Sequence, residues 1–198
     1  MEWLLANADV DARWTLVHAT HLEPAEVQGI ARSGATVAIC PTTEANLGDG
    51  LFPLREVLAA GGHWGVGSES HVSVSVTEEL RWLEYGQRLA LRRRNIAVAP
   101  GQPSTGELLY SQALAGGLRA CGFGAAAGGD EVVLRADAAA LAGARRGDLL
   151  DRVVFAGHGP LVDEVRVAGQ LRVSGGRHLE AGAIGARYRS TLSALLAD

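Results

Sequence analysis

Three short apolar runs, each breaking off in polar or ionisable side chains, constrain this chain more than any other feature. They are Leu16-Val17 ending in His18-Ala19-Thr20-His21, Ala35 to Cys40 ending in Pro41-Thr42-Thr43-Glu44, and Gly65-Val66-Gly67 ending in Ser68-Glu69-Ser70-His71. Helix-like stretches separate them. A buried parallel strand that delivers reactive groups at its carboxyl end has this form. The order βαβαβα specifies an α/β fold with a parallel sheet.

The boundaries follow from local signals. The first strand spans Trp14 to Val17, after the polar Asp9 to Arg13. A helix opens at Glu23-Pro24-Ala25-Glu26, with proline in its first turn and acids at its positive end, and Gly34 stops it. The second strand, Ala35 to Cys40, leads into a long polar loop, Pro41 to Gly50. A helix from Pro53 to Ala60 ends at Gly61-Gly62. The third strand is Trp64 to Gly67. A long helix then runs from Val76 to Arg94, with Leu80, Leu83, Gln87 and Leu91 on one face. Arg92-Arg93-Arg94 complements the negative end of that helix and is not a phosphate site. Ala97 to Pro103 is a linker, and Ser104-Thr105-Gly106-Glu107 starts a helix through Ala120.

After Gly122 the texture changes. Glu131 to Arg135, Asp151 to Phe155, Val162 to Val167 and Gln170 to Val173 read as short strands, with a hairpin turn at Ala168-Gly169. A last helix runs from about Ala183 to Leu196. The expected division is therefore residues 1–121, a partial barrel, and residues 122–198, a small β-rich domain. The pairs Gly122-x-Gly124 and Gly128-Gly129 lack the strand-to-helix setting of a dinucleotide fingerprint.

Bulk properties narrow the functional classes. The chain has 198 residues, a net charge of -4 and 20% charged residues, which is ordinary globular composition and disfavours a nucleic-acid partner. Cys40 and Cys121 stand far apart; Cys40 reads as a small buried hydrophobe, and a reducing cytoplasm fits. No stretch is long enough to span a bilayer, and Met1-Glu2-Trp3-Leu4-Leu5 has neither the basic nor the apolar run of a secretory leader.

Hydrolysis at a C–N centre needs an activated water, a group that takes and returns protons, and something to polarise the carbon; a divalent metal does the first and third. His18 is a candidate for orienting the water or stabilising developing charge. Glu69 is a candidate metal ligand and proton shuttle, because a carboxylate serves both uses. The two are expected at neighbouring strand ends of one face. His71 is a candidate substrate contact. His21 is expected to cap or hydrogen-bond a loop. His63, His158 and His178 read as surface, Glu78-Glu79 as helix N-terminal acids, and Glu44 and Asp49 as either loop acids or substrate contacts.

The segments Leu16 to His21, Cys40 to Gly50 and Gly67 to Ser73 resemble the amidohydrolase superfamily, and more narrowly its formimidoylglutamate deiminases. Glu78-Glu79-Leu80-Arg81-Trp82-Leu83-Glu84-Tyr85-Gly86-Gln87-Arg88-Leu89 strengthens the narrower likeness. The resemblance implies a zinc-dependent hydrolase of histidine degradation that releases ammonia from N-formimino-glutamate. It implies that His18 follows the sixth strand of a (β/α)8 barrel and assists the water or the tetrahedral intermediate. It implies that Glu69 follows the eighth strand, where it binds metal and moves a proton.

The family has aspartate at the position of Glu69, and its H-x-H pair and fifth-strand histidine have no counterpart in this sequence. A full barrel takes about 250 residues. The chain is therefore expected to be the C-terminal part, strands six to eight, with Met1 to Arg13 a piece of the preceding helix, and to be inactive alone. The expected partners are a small-molecule substrate and either an N-terminal barrel half or a second copy. Two other readings accompany this one: another deaminase or chlorohydrolase of the superfamily, and a non-catalytic remnant acting as an assembly module through its open sheet edge.

Overall fold

In a computed structural model, residues 1–102, 104–123, 129–157 and 159–197 are described. Pro103 of the linker, Gly124 and Gly128 of the glycine pairs, and His158 lie outside the described residues. The chain divides into two compact units, Met1–Gly124 with Gly143–Ala156, and Ala125–Ala142 with Gly157–Asp198.

The first unit is built on a parallel sheet of order β1-β2-β3, comprising β1 (Thr15–Val17), β2 (Thr36–Ile39) and β3 (His63–Val66). Leu16 pairs with Val37, and Val37 with Trp64, and all three side chains are buried. Between the strands run α2 (Pro24–Ser33), α3 (Pro41–Leu47) and α4 (Leu54–Ala59), preceded by α1 (Glu2–Asn7). Val27 and Ile30 of α2 and Leu54 and Val57 of α4 join the core around Trp64 and Phe52. Two longer helices follow, α5 (Val76–Leu91) and α6 (Thr105–Ala120).

Capping chemistry sets most ends. Glu23 and Glu26 form a reciprocal capping box on α2, with Pro24 in the first turn and Gly34 in the left-handed conformation at the end. Ser75 and Ser104 cap α5 and α6 by accepting the backbone N–H of Glu78 and Glu107. Helix α5 stops at Leu91, three residues short of the expected Arg94, because Arg92 turns into the left-handed conformation (φ 52°).

Two elements differ from the sequence reading. Pro41 to Gly50, expected as a loop, contains α3. Its Thr42, Thr43 and Glu44 are buried despite their polarity, because each finds a partner: Glu79 for Thr42, the Ser68 carbonyl for Thr43, and Cys40 N–H and His18 for Glu44. Asp151 to Phe155, expected as a strand, belongs to α7 (Leu149–Phe155). Its β-branched pair buries Val153 and Val154, Arg81 donates to the Val154 carbonyl, and Asp151 accepts the Gly106 N–H of the first turn of α6. Packing there overrides β propensity.

The second unit holds an antiparallel sheet of order β4-β5-β6-β7, made of β4 (Glu131–Leu134), β5 (Val162–Val167), β6 (Gln170–Ser174) and β7 (Arg177–His178). Ala168 and Gly169 both take positive φ, as a two-residue hairpin turn requires. Helix α8 (Ala181–Leu195) closes the chain. Among the described residues, no helix is long and apolar enough to cross a membrane.

Candidate active site

The carboxyl ends of β1 and β3 converge over the end of β2. His18 follows β1 and donates its backbone N–H to the Ala38 carbonyl (2.8 Å); Gly67 follows β3 and donates to the Ile39 carbonyl (2.9 Å). His18 and Glu69 thus leave strands on either side of β2, not neighbouring strands as expected. Their side chains nevertheless meet: His18 Nε2 lies 4.0 Å from Glu69 Oε2. Strands two places apart in a sheet are about 9–10 Å apart, so this approach is made by the side chains.

The backbone at these strand ends is left-handed. His18, Ala19 and Glu69 have φ of 68°, 52° and 47°. Left-handed conformation at three non-glycine residues is uncommon and gathers at functional sites.

Glu44 completes the group. Its Oε1 accepts the Cys40 backbone N–H (2.8 Å) and lies 3.2 Å from His18 Nδ1. The Glu44 side chain is 4% exposed, whereas His18 and Glu69 are 36% and 44% exposed, so Glu44 is the floor of the site and the other two face its mouth. Burial pushes the Glu44 carboxyl up, against the lowering influence of the Cys40 N–H and His18. Burial, with the carboxylates of Glu44, Glu69 and Glu79, also pushes the Cys40 thiol up to about 11.

Among the described residues, His18, Cys40 and Glu44 offer possible metal-binding atoms within 4.8 Å of one another, and Glu69 stands beside His18. Imidazole nitrogen and carboxylate oxygen are donor types that zinc takes. Glu44 and His18 Nδ1 are engaged with each other and the Cys40 thiol is pushed up, so Glu69 at the mouth is the residue that fits one donor of such a centre.

The backbone of His71 donates to Thr43 Oγ1 and the Ser68 carbonyl, and its ring accepts the Ser73 N–H at Nδ1 (3.1 Å). The Ser73 hydroxyl donates a hydrogen bond to Glu78 (2.6 Å). The ring therefore secures the turn into α5. His21 is exposed and lies beside Gly50 of the following loop. His63 and His178 are exposed, as expected of surface histidines. Sequence alone allows Glu44 to be either a loop acid or a substrate contact, and the structure instead places it in α3 beneath His18. The pointer to it was Pro41, a first-turn residue of a helix that puts Glu44 one turn on.

The amidohydrolase family model matches residues 3–171. The chain belongs to the amidohydrolase family. It is 53% identical over 183 residues to a formimidoylglutamate deiminase of Pseudomonas aeruginosa, covering 90% of this chain and 40% of that protein. An amidohydrolase of Brucella melitensis superimposes with a TM-score of 0.91 at 42% identity, covering 98% of this chain and 44% of the other. A zinc-bound adenosine deaminase of Xanthomonas campestris shares the fold, with a TM-score of 0.81 at 21% identity, covering 96% and 44%. The chain thus spans about two fifths of the length of these relatives.

Proposed function

We propose that this chain forms strands six to eight of a (β/α)8 barrel in a deiminase that converts N-formimino-glutamate and water to N-formyl-glutamate and ammonia. The observation that carries the reading is the convergence of His18 and Glu69 at the carboxyl ends of β1 and β3, the face on which such barrels build their sites. The substrate follows from the likeness to the Pseudomonas aeruginosa protein.

Each residue has a stated part. His18 offers Nε2 at the mouth to accept a hydrogen bond from the attacking water and orient it towards the carbon. Glu69 takes a proton from that water and gives it to the formimino nitrogen as the C–O bond forms, then carries the remaining hydroxyl proton to the same nitrogen, so that the C–N bond breaks, ammonia leaves and the formyl carbonyl closes; it also serves as a ligand to a divalent metal, zinc by family likeness. When bound, the metal supplies a water of lowered pKa and polarises the substrate. His71 contacts substrate through the face of its ring turned from Ser73. A catalytic zinc takes three protein ligands, so the remaining donors come from polypeptide outside this sequence, or from a second copy. The reaction is one of small-molecule metabolism, and we place it in the cytoplasm.

The test is a graft. The chain replaces the matching two fifths of the Pseudomonas aeruginosa deiminase, and ammonia release from N-formimino-glutamate is measured. The graft is expected to turn over, and the 198-residue chain with added zinc is expected to release none. A well-folded, zinc-loaded graft with no ammonia release, or one that prefers a purine, refutes the reading.

A further inference from the structure

The carboxylate of Glu44 is buried, bonded and directed at one ring nitrogen of His18, and the reaction just described gives it no part. We propose that Glu44 is a positioning residue that holds His18 in the tautomer with its proton on Nδ1, leaving the Nε2 lone pair turned towards Glu69.

With Glu44 ionised, as at alkaline pH, the geometry allows one assignment for the neutral ring. A neutral imidazole has one donor nitrogen and one acceptor nitrogen. Nδ1 lies 3.2 Å from Glu44 Oε1, an oxygen that already accepts the Cys40 N–H. An acceptor lone pair on Nδ1 would oppose that oxygen, so Nδ1 carries the proton and Nε2 does not. A carboxylate that takes one ring N–H in this way fixes both the tautomer and the ring plane.

Glu44 is itself held. It sits one turn into α3, where the Glu44 N–H donates to the Cys40 carbonyl and the Cys40 N–H donates back to the Glu44 side chain. Thr42, in the same turn, is bonded through its N–H and its hydroxyl to the buried Glu79. On the other side, His18 is fixed by its backbone bond to Ala38. The main chain of His18 and its Nδ1 are both held, with Nε2 left towards the mouth. The consequence is an acceptor that aligns one hydrogen of a water beside Glu69. This consequence rests on the proposed role of His18; the tautomer does not.

Long-range proton–nitrogen spectra of the imidazoles, recorded at alkaline pH on the nitrogen-15-labelled 198-residue chain, read the tautomer directly. The His18 signals are assigned by their loss in His18→Gln. The expected pattern for His18 is the Nδ1–H form. The Nε2–H form that free histidine favours, or an average of the two, overturns the proposal without any variant. Glu44→Gln is expected to keep the Nδ1–H pattern, since the amide oxygen still accepts. Glu44→Met removes the acceptor at similar length and is expected to switch His18 to the Nε2–H form; an unchanged pattern in a folded Met variant overturns the proposal. Should that variant not fold, the wild-type and Gln spectra decide. In the graft, Glu44→Met is expected to lower kcat about 10–100-fold with zinc content unchanged. A graft that never releases ammonia sinks the deiminase reading and leaves the spectra standing, so the two failures are told apart.

Discussion

The carboxylate of Glu79 on α5 accepts both the backbone N–H and the hydroxyl of Thr42 in the first turn of α3, across 37 residues of sequence. Both residues are buried. A helix N-terminus leaves backbone N–H groups without partners, and here a side chain from another helix supplies one. The bond ties the polar helix that carries Glu44 to the long helix behind it.

Removing that acceptor leaves two buried donors of Thr42 unsatisfied. Glu79→Leu is expected to destabilise the chain by about 1–3 kcal/mol. Urea unfolding should show a lower midpoint with an unchanged slope, and an unchanged midpoint would count against the bond.

Helix α6 lies on β3 through glycine. A Cβ on Gly116 would stand 1.8 Å from the Trp64 carbonyl oxygen, and one on Gly65 would stand 2.9 Å from the Gly117 nitrogen. The obstruction is backbone, which has no rotamer to yield. Gly116→Ala is expected to destabilise by about 3 kcal/mol through overpacking. Gly117→Ala, with nothing within 4 Å, is the control and should leave the melting temperature within a few degrees of wild type.

Cys40 is buried and its thiol is pushed from 9.0 to about 11, chiefly by burial and then by Glu44, Glu69 and Glu79. Thiolate is the reactive form. At neutral pH the exposed Cys121 should react readily with a thiol reagent and Cys40 only after unfolding. The sign for stability follows. Between pH 9.0 and about 11 the unfolded chain has lost this proton and the folded chain keeps it, so stability declines as pH rises through that window. Cys40→Ala should flatten that decline.

The roles of His18 and Glu69 separate by readout in the graft. His18→Ala is expected to lower kcat about 10²–10⁴-fold and to leave bound zinc in place. Glu69→Ala is expected to lower the zinc content as well as the rate. Equal zinc loss in both variants would assign His18 to the metal instead.

The sequence carried the strands and helices where local chemistry decides them. Pro24 with Gly34, Ser75 before Glu78, and Ser104 before Glu107 mark helix ends by bonds made within a few residues. The alternation of apolar runs and helical faces was enough for a parallel α/β unit. It failed at α3 and α7. Thr42 and Glu44 are polar and so resemble a loop, and their burial rests on Glu79 and His18, far away in sequence. Val153 and Val154 resemble a strand, and their helix is selected by what it packs against.

By itself the chain determined that His18 and Glu69 each stand at the end of a parallel strand, because an apolar run that stops at an ionisable group is a local fact. Only the tertiary structure decided that β2 lies between them, that their side chains still come within 4.0 Å, and that Glu44 sits beneath the imidazole. Sheet order and side-chain convergence are set by long-range pairing and burial, and the spacing of residues along one dimension does not record them.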